Sequence, residues 1–277
     1  MNLQNIITEI EKVDPEVYER LNGRRDAMKS FAKASGKVAL AALPLAFGSM
    51  LQKAYGKGTG VTGLIDDTLN FALTLEYLEA NFYIKGIASA GLIPTPAAVS
   101  ALTTIRDHEN AHVSFLRNVI TTLGATPVTF AAADFDFTAG GTFADVFSNY
   151  DTFLAVAQTF EDTGVRAYKG QAGNLMTNND ILTAALNIHS VEARHASHIR
   201  QMRKARGVDV KPWITGNNSG IGSVVAASYA GEEVTTQAGV NIVNIGGFTI
   251  SANAASEAFD EPLTKDQVTA IVTPFFA

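Results

Sequence analysis

Between residues 62 and 206, apolar positions recur at a spacing near 3.6 in four long segments, the period of helices with one buried face. The first covers about 63–86. The second opens at Thr95, whose hydroxyl can accept a free backbone N–H, followed by Pro96, whose fixed φ suits a first helical position; it stops before Gly124 and Pro127. The third covers about 150–169 and ends near Gly170. The fourth starts near Asn179 or Asp180 and closes on RKARG at 203–207. Cations in a last turn complement the negative end of a helix, and Gly207 can turn the chain out of it.

The flanks read differently. Residues 2–22 predict a polar helix with a modest apolar stripe (Ile6, Ile10, Val13, Val17, Leu21). GRRDAMKSF at 23–31 is followed by an apolar run from Val38 to Leu51. That run is shorter than the roughly 20 residues that span a bilayer, and Pro44 and Gly48 interrupt it. Twin arginines, Lys29, an apolar run and then small residues resemble a twin-arginine export signal, with Ala54-Tyr55-Gly56 suited to cleavage. Residues 1–61 are therefore expected to direct the chain to the periplasm or cell envelope. The alternative is a basic helix start and a docking helix in a cytoplasmic protein.

After Gly207, residues 208–250 are rich in Gly, Asn, Ser and Thr and read as loop, with strand-like pieces at Val224–Val225, Val240–Val243 and Phe248–Ile250. A short helix from about Ser251 and another opened by Thr264, with Asp266 in its first turn, should follow. Phe259, Phe275 and Phe276 give the 207–277 extension a means of packing on the four helices or on another subunit.

Composition narrows the chemistry. The chain is 47% hydrophobic and 17% charged, enough for a sizeable core. A formal net charge of −6 argues against a sequence-independent grip on nucleic acid, which needs clustered Lys and Arg. With no cysteine, disulfides, thiolate metal sites and thiol nucleophiles are excluded, so any metal must be held by carboxylates and imidazoles. The histidines are His108, His112, His189, His195 and His198, all in two short windows.

Those windows belong to a repeat. One face of the first helix reads Leu69, Ala72, Glu76, Glu79, Tyr83, and one face of the third reads Leu154, Ala157, Glu161, Gly164, Tyr168, each position 85 residues on. The second helix reads Ile105, Glu109, His112, Leu116, Val119, and the fourth Ile188, Glu192, His195, Ile199, Met202, each 83 residues on. Glu and His at i and i+3 share a helical face and can reach a common point. Bare carboxylates on core-facing stripes would cost several kcal/mol each, of order 2–7 for an unpaired polar group, unless cations neutralise them. Four glutamates with two neutral imidazoles carry four negative charges, which two divalent ions would cancel. A Glu from each of two helices plus Glu-x-x-His from each of two more is the ligand set of ferritin-like di-iron and di-manganese carboxylate proteins. On this reading Glu76 and Glu161 are terminal ligands, Glu109 and Glu192 bridge, and His112 and His195 each complete one metal. Such ligands suit two iron ions, or two manganese ions or a mixed pair, better than four-coordinate zinc. Tyr83 and Tyr168 are candidate donors to the ligand carboxylates or redox-active groups, with ordinary core aromatics as the alternative. Glu79, without a counterpart, is expected to be a partly buried acid paired with an Arg rather than a further ligand or proton carrier. His108, His189 and His198 are expected off the metal face.

LTLEYLEANFY, DHENAHVSFL, TFEDTGVRAY and SVEARHASHIRQMRKARG, with the closing AFDEPLTKDQVTAIVTPFFA, resemble the ferritin-like domain family that includes plant desiccation-related proteins and bacterial homologues. The resemblance covers about residues 62–277 and implies an all-α, ferritin-like four-helix bundle at 62–206, with a mostly irregular extension. Bacterioferritin places Asp just before each Glu-x-x-His to orient the histidine; His108 and Val191 stand there in this chain. The cysteine-bound iron relay of rubrerythrin is impossible without cysteine. The expected activity is oxidation of Fe(II) with oxygen or hydrogen peroxide, in iron or oxidative-stress handling. The alternatives are a non-enzymatic protective or structural protein with a metal staple, and a manganese catalase-like dismutation of peroxide. The extension should cover faces that a storage shell would need, so a monomer or small homo-oligomer is expected.

Overall fold

The structure, a computed structural model, describes residues 62–277. The N-terminal segment and its export-signal reading lie outside the described residues. Four helices form an all-α bundle: α1 (Thr62–Ala88), α2 (Pro96–Thr122), α3 (Tyr150–Gln171) and α4 (Asn179–Ala205). α1 packs along α2 and α3 along α4, so the two sequence repeats are two helical hairpins. The ends follow local chemistry. The Thr95 hydroxyl accepts the Ala98 N–H, the Asn178 side chain accepts the Ile181 N–H, and Gly207 leaves α4 at φ +92°. Among the described residues no helix is long and apolar enough to cross a membrane.

At one end of the bundle the core is aromatic. Phe82 stacks on Phe153 with centroids 4.7 Å apart, and Phe137, Phe147 and Phe160 close around it. Every residue of α3 from 153 to 168 is buried. A helix buried all round needs cover on every side, and one hairpin partner cannot supply it. The remainder comes from the segment after Gly207. That segment holds the short helices α5 (Ala226–Tyr229) and α6 (Ala252–Ser256), a two-residue hairpin (β1, Thr236–Gln237, antiparallel to β2, Val240–Asn241) and α7 (Lys265–Val272). The Thr264 and Gln267 side chains cap the start of α7 reciprocally.

α5 and α7 both pack on α3. Phe275 sets its edge on Phe160 at 4.7 Å, and Phe276 packs on Phe130 and Phe135. Contact is closest at Gly170, where a Cβ would lie 1.9 Å from the Leu263 carbonyl oxygen; only glycine lets the two backbones meet there. Three arginines on α3 and α4 are buried in the same seam. Arg166 donates to the carbonyls of Ser228, Ala230 and Glu261 and pairs with Glu232 at 2.8 Å. Arg200 forks onto Asp162, which also accepts the Tyr229 hydroxyl, and Arg203 reaches the Gln158 side chain and the Ser219 and Gly220 carbonyls.

Of the three strand-like pieces, only Val240–Asn241 pairs as strand. Val224–Val225 lie in a 3-10 turn that leads into α5, because Val225 packs against Ile214 and Tyr229. Phe248–Ile250 remains coil, with Ile250 bonded back to Asn244 rather than to a strand. Runs of two or three apolar residues carry too little periodicity to distinguish these outcomes.

Candidate metal centre

Each bundle helix brings its acidic stripe to one point. α1 supplies Glu76, α2 Glu109 and His112, α3 Glu161, and α4 Glu192 and His195, all buried, the four glutamates completely. The donors form two overlapping groups. Glu76, Glu109, His112 and Glu192 make one, and Glu109, Glu161, Glu192 and His195 the other, with the chosen donor atoms of each group all within 4.8 Å of one another. Glu109 and Glu192 belong to both.

The atomic pairing repeats that division. His112 Nδ1 lies 3.1 Å from Glu76 Oε2, 3.2 Å from Glu109 Oε2 and 3.1 Å from Glu192 Oε1. His195 Nδ1 lies 2.8 Å from Glu109 Oε1, 3.3 Å from Glu161 Oε2 and 3.4 Å from Glu192 Oε2. Each shared glutamate thus turns one oxygen to each imidazole. The tyrosines cross between hairpins: Tyr83 of α1 donates to Glu161 of α3, and Tyr168 of α3 donates to Glu76 of α1. They leave one oxygen of each of these carboxylates facing the cluster.

Proximity does not produce hydrogen bonding for several of these atoms. Glu109 Oε1, Glu161 Oε2, both Glu192 oxygens and His195 Nδ1 are buried without a hydrogen-bond partner. A buried polar atom left unpaired costs about 1–3 kcal/mol, so a fold that gathers five of them at one point keeps their lone pairs for something else. Carboxylate oxygens and imidazole nitrogens converging in this way fit metal ions.

Without metal the charges redistribute among protons. Burial pushes Glu109 well above the usual carboxylate range, with the Glu192 charge adding to it, and raises Glu161 to about 7 against the pull of His195. Burial alone would lower the imidazoles, but the negative charges that face them, above all Glu76 at His112 and Glu161 at His195, hold both far above the ordinary histidine range. Burial also acts to raise Glu192, yet its contacts with the two imidazoliums leave it well below the usual range. The Tyr83 and Tyr168 phenols are pushed up by burial and by the glutamates they bond, so they stay protonated donors.

Two neighbours differ from expectation. Glu79 is not the expected partly buried, Arg-paired acid. It is buried, has no ion pair among the described residues, and its Oε1 lies where a Cβ on Gly164 would come within 3.2 Å. The missing side chain at 164 makes the space, and burial, then the charges of Glu192 and Glu161, push its pKa well up. His108 is not remote from the site either: its Nδ1 lies 3.0 Å from His195 Nε2. His189 instead donates to the Val165 carbonyl, and His198 is exposed. The spacing of Glu79 on the acidic stripe signals its burial. His108 gives no such signal, because the residue it touches is on another helix. The Arg166, Arg200 and Arg203 seam was also hidden in the sequence, its one hint being cations at helical spacing among apolar residues.

Comparison with known families places this geometry. A family model described as ferritin-like domain matches residues 66–205. No curated protein and no solved structure gave a match.

Proposed function

Because the chain belongs to the ferritin-like domain family, we propose that its buried cluster holds two iron ions and oxidises Fe(II) with oxygen or peroxide, serving iron or oxidative-stress handling. The observation that carries this reading is the convergence of five buried donor atoms that have no hydrogen-bond partner. Glu76 and Glu161 would each serve one ion, Glu109 and Glu192 both, and His112 and His195 one each through Nδ1. Iron bound there supplies one-electron redox chemistry with small oxidants.

The chain's own residues set the conditions. Tyr83 and Tyr168 fix the carboxylate planes of Glu161 and Glu76. Burial excludes bulk water and strengthens every charge interaction within. Glu79, with its raised pKa, is a group that can hold a proton next to the cluster. The extension covers α3, which supports work as a monomer or small oligomer rather than as a storage shell.

Metal analysis of the full chain from a metal-replete source should give about two ions per chain, a stoichiometry set by the two donor groups. Aerobic addition of Fe(II) should produce Fe(III) faster than in protein-free buffer. Glu109→Ala with Glu192→Ala should abolish both. Near-zero metal in a folded protein would defeat the proposal. Two ions with no turnover of oxygen or peroxide would mean a structural staple, and rapid peroxide dismutation with manganese bound would mean a catalase-like site.

A further inference from the structure

The two halves of the cluster are related by the repeat, but their surroundings are not. His195 turns Nδ1 toward three carboxylates, and its other ring nitrogen, Nε2, lies 3.0 Å from His108 Nδ1. The two rings are within 15° of parallel, with centroids 5.2 Å apart. His112 also turns Nδ1 toward three carboxylates, yet among the described residues no hydrogen bond reaches its Nε2. The repeat explains the difference. The position equivalent to His108 is Val191, 83 residues on, and a valine side chain has nothing to offer an imidazole.

An imidazole binds a metal through one nitrogen only if that nitrogen is unprotonated, so in the neutral ring the other must carry the proton. A partner that accepts from the second nitrogen fixes the tautomer and the ring plane, and losing such a partner typically costs roughly 10–100-fold in metal affinity. His108 Nδ1 is placed to accept from His195 Nε2. His108 is exposed on α2 while His195 is buried on α4, so the bond also ties the two hairpins together beside the cluster.

Resting on the two-metal reading above, we propose that His108 is a positioning residue for His195, and that it makes the two metal positions unequal: the His195 position binds first and tightly, the His112 position second and more weakly.

Anaerobic titration of the metal-free full chain with Mn(II), following the free-ion EPR signal, tests this. The wild type should bind two ions in two resolved steps. With the first equivalent, NMR of histidine-labelled protein should broaden the His195 ring before the His112 ring. His108→Leu should weaken the first step by 10–100-fold and leave the second unchanged, and His108→Gln, whose amide oxygen can accept the same N–H, should restore most of the loss. Because His108 is exposed, these variants should keep the fold, which circular dichroism checks. Two ions bound by the wild type with equal affinity, or His108→Leu leaving the first step intact, would overturn the proposal while the two-metal reading stands. No binding by folded wild type would overturn both.

Discussion

Replacing Glu109 by Gln should stabilise the protein when metal is absent and destabilise it relative to wild type when metal is present. The metal-free cluster holds four glutamates against two imidazoliums, an excess of negative charge that the fold accommodates by raising Glu109 and Glu161. Glu109 Oε1 is buried and has no hydrogen-bond partner, although His195 Nδ1 is 2.8 Å away. An amide of the same shape is neutral without having to take up a proton, and it offers N–H groups to the neighbouring carboxylates. Relief of one such unpaired atom is worth about 1–3 kcal/mol. For a domain of this size that is roughly 2–12 °C in melting temperature, at about 2–4 °C per kcal/mol. Metal reverses the order. An ion at a hundredfold excess over its Kd stabilises the wild type by about 2.7 kcal/mol per site, and Glu109 belongs to both donor groups, so the variant forfeits this at both. Calorimetry with chelator and then with Mn(II) reads both halves. If metal-free Glu109→Gln melts below metal-free wild type, the carboxylate is satisfied by the fold, and the claim that its lone pair is kept for a metal is refuted.

Two further outcomes follow from features away from that atom or common to the whole cluster. Both imidazoles hold their protons far above the ordinary range in the metal-free state, so a metal must displace protons at neutral pH. Metal uptake in weak buffer should therefore acidify the solution, and affinity should rise with pH across pH 6–8; pH-independent binding without proton release would contradict the assigned Nδ1 donors. Gly170→Ala should loosen the extension from α3, because the new methyl would overlap the Leu263 carbonyl at 1.9 Å. A loss of at least about 1–3 kcal/mol, the usual range for overpacking, is expected in chemical denaturation, with faster hydrogen exchange in α7, and an unchanged melting curve would show that the two backbones part easily.

Much of the bundle could be read from the sequence because a helix writes its buried face every three or four residues. The acidic stripe stood out for the same reason: Glu76, Glu109, Glu161 and Glu192 interrupt an apolar period, and the 85- and 83-residue offsets tie the four interruptions together. Thr95 and Thr264 mark helix starts through chemistry local to each turn. What escaped depends on contacts between distant elements. The His108–His195 bond joins residues 87 apart, and Arg166 meets partners 62 to 95 residues away. A cation on a helix reads as solvated until the segment that buries it is placed. The burial of Glu79 without an Arg could not be read because its environment is set by an absence on another helix, the missing side chain of Gly164.

The all-round burial of α3 bears on how the chain is made. The walls of this helix include Phe275, which leaves the ribosome more than a hundred residues after Tyr168. At roughly 5–20 residues per second, translation leaves the apolar flank of α3 uncovered for about 5–20 s. During that interval the nascent protein presents a hydrophobic helix of the kind that chaperones bind. It also means that the stretch matched by the family, 66–205, ends before the residues that seal its own third helix. Cut at that boundary, the fragment would expose the apolar surface that α5, α7 and Phe275 cover in the whole chain, and aggregation would be the expected fate.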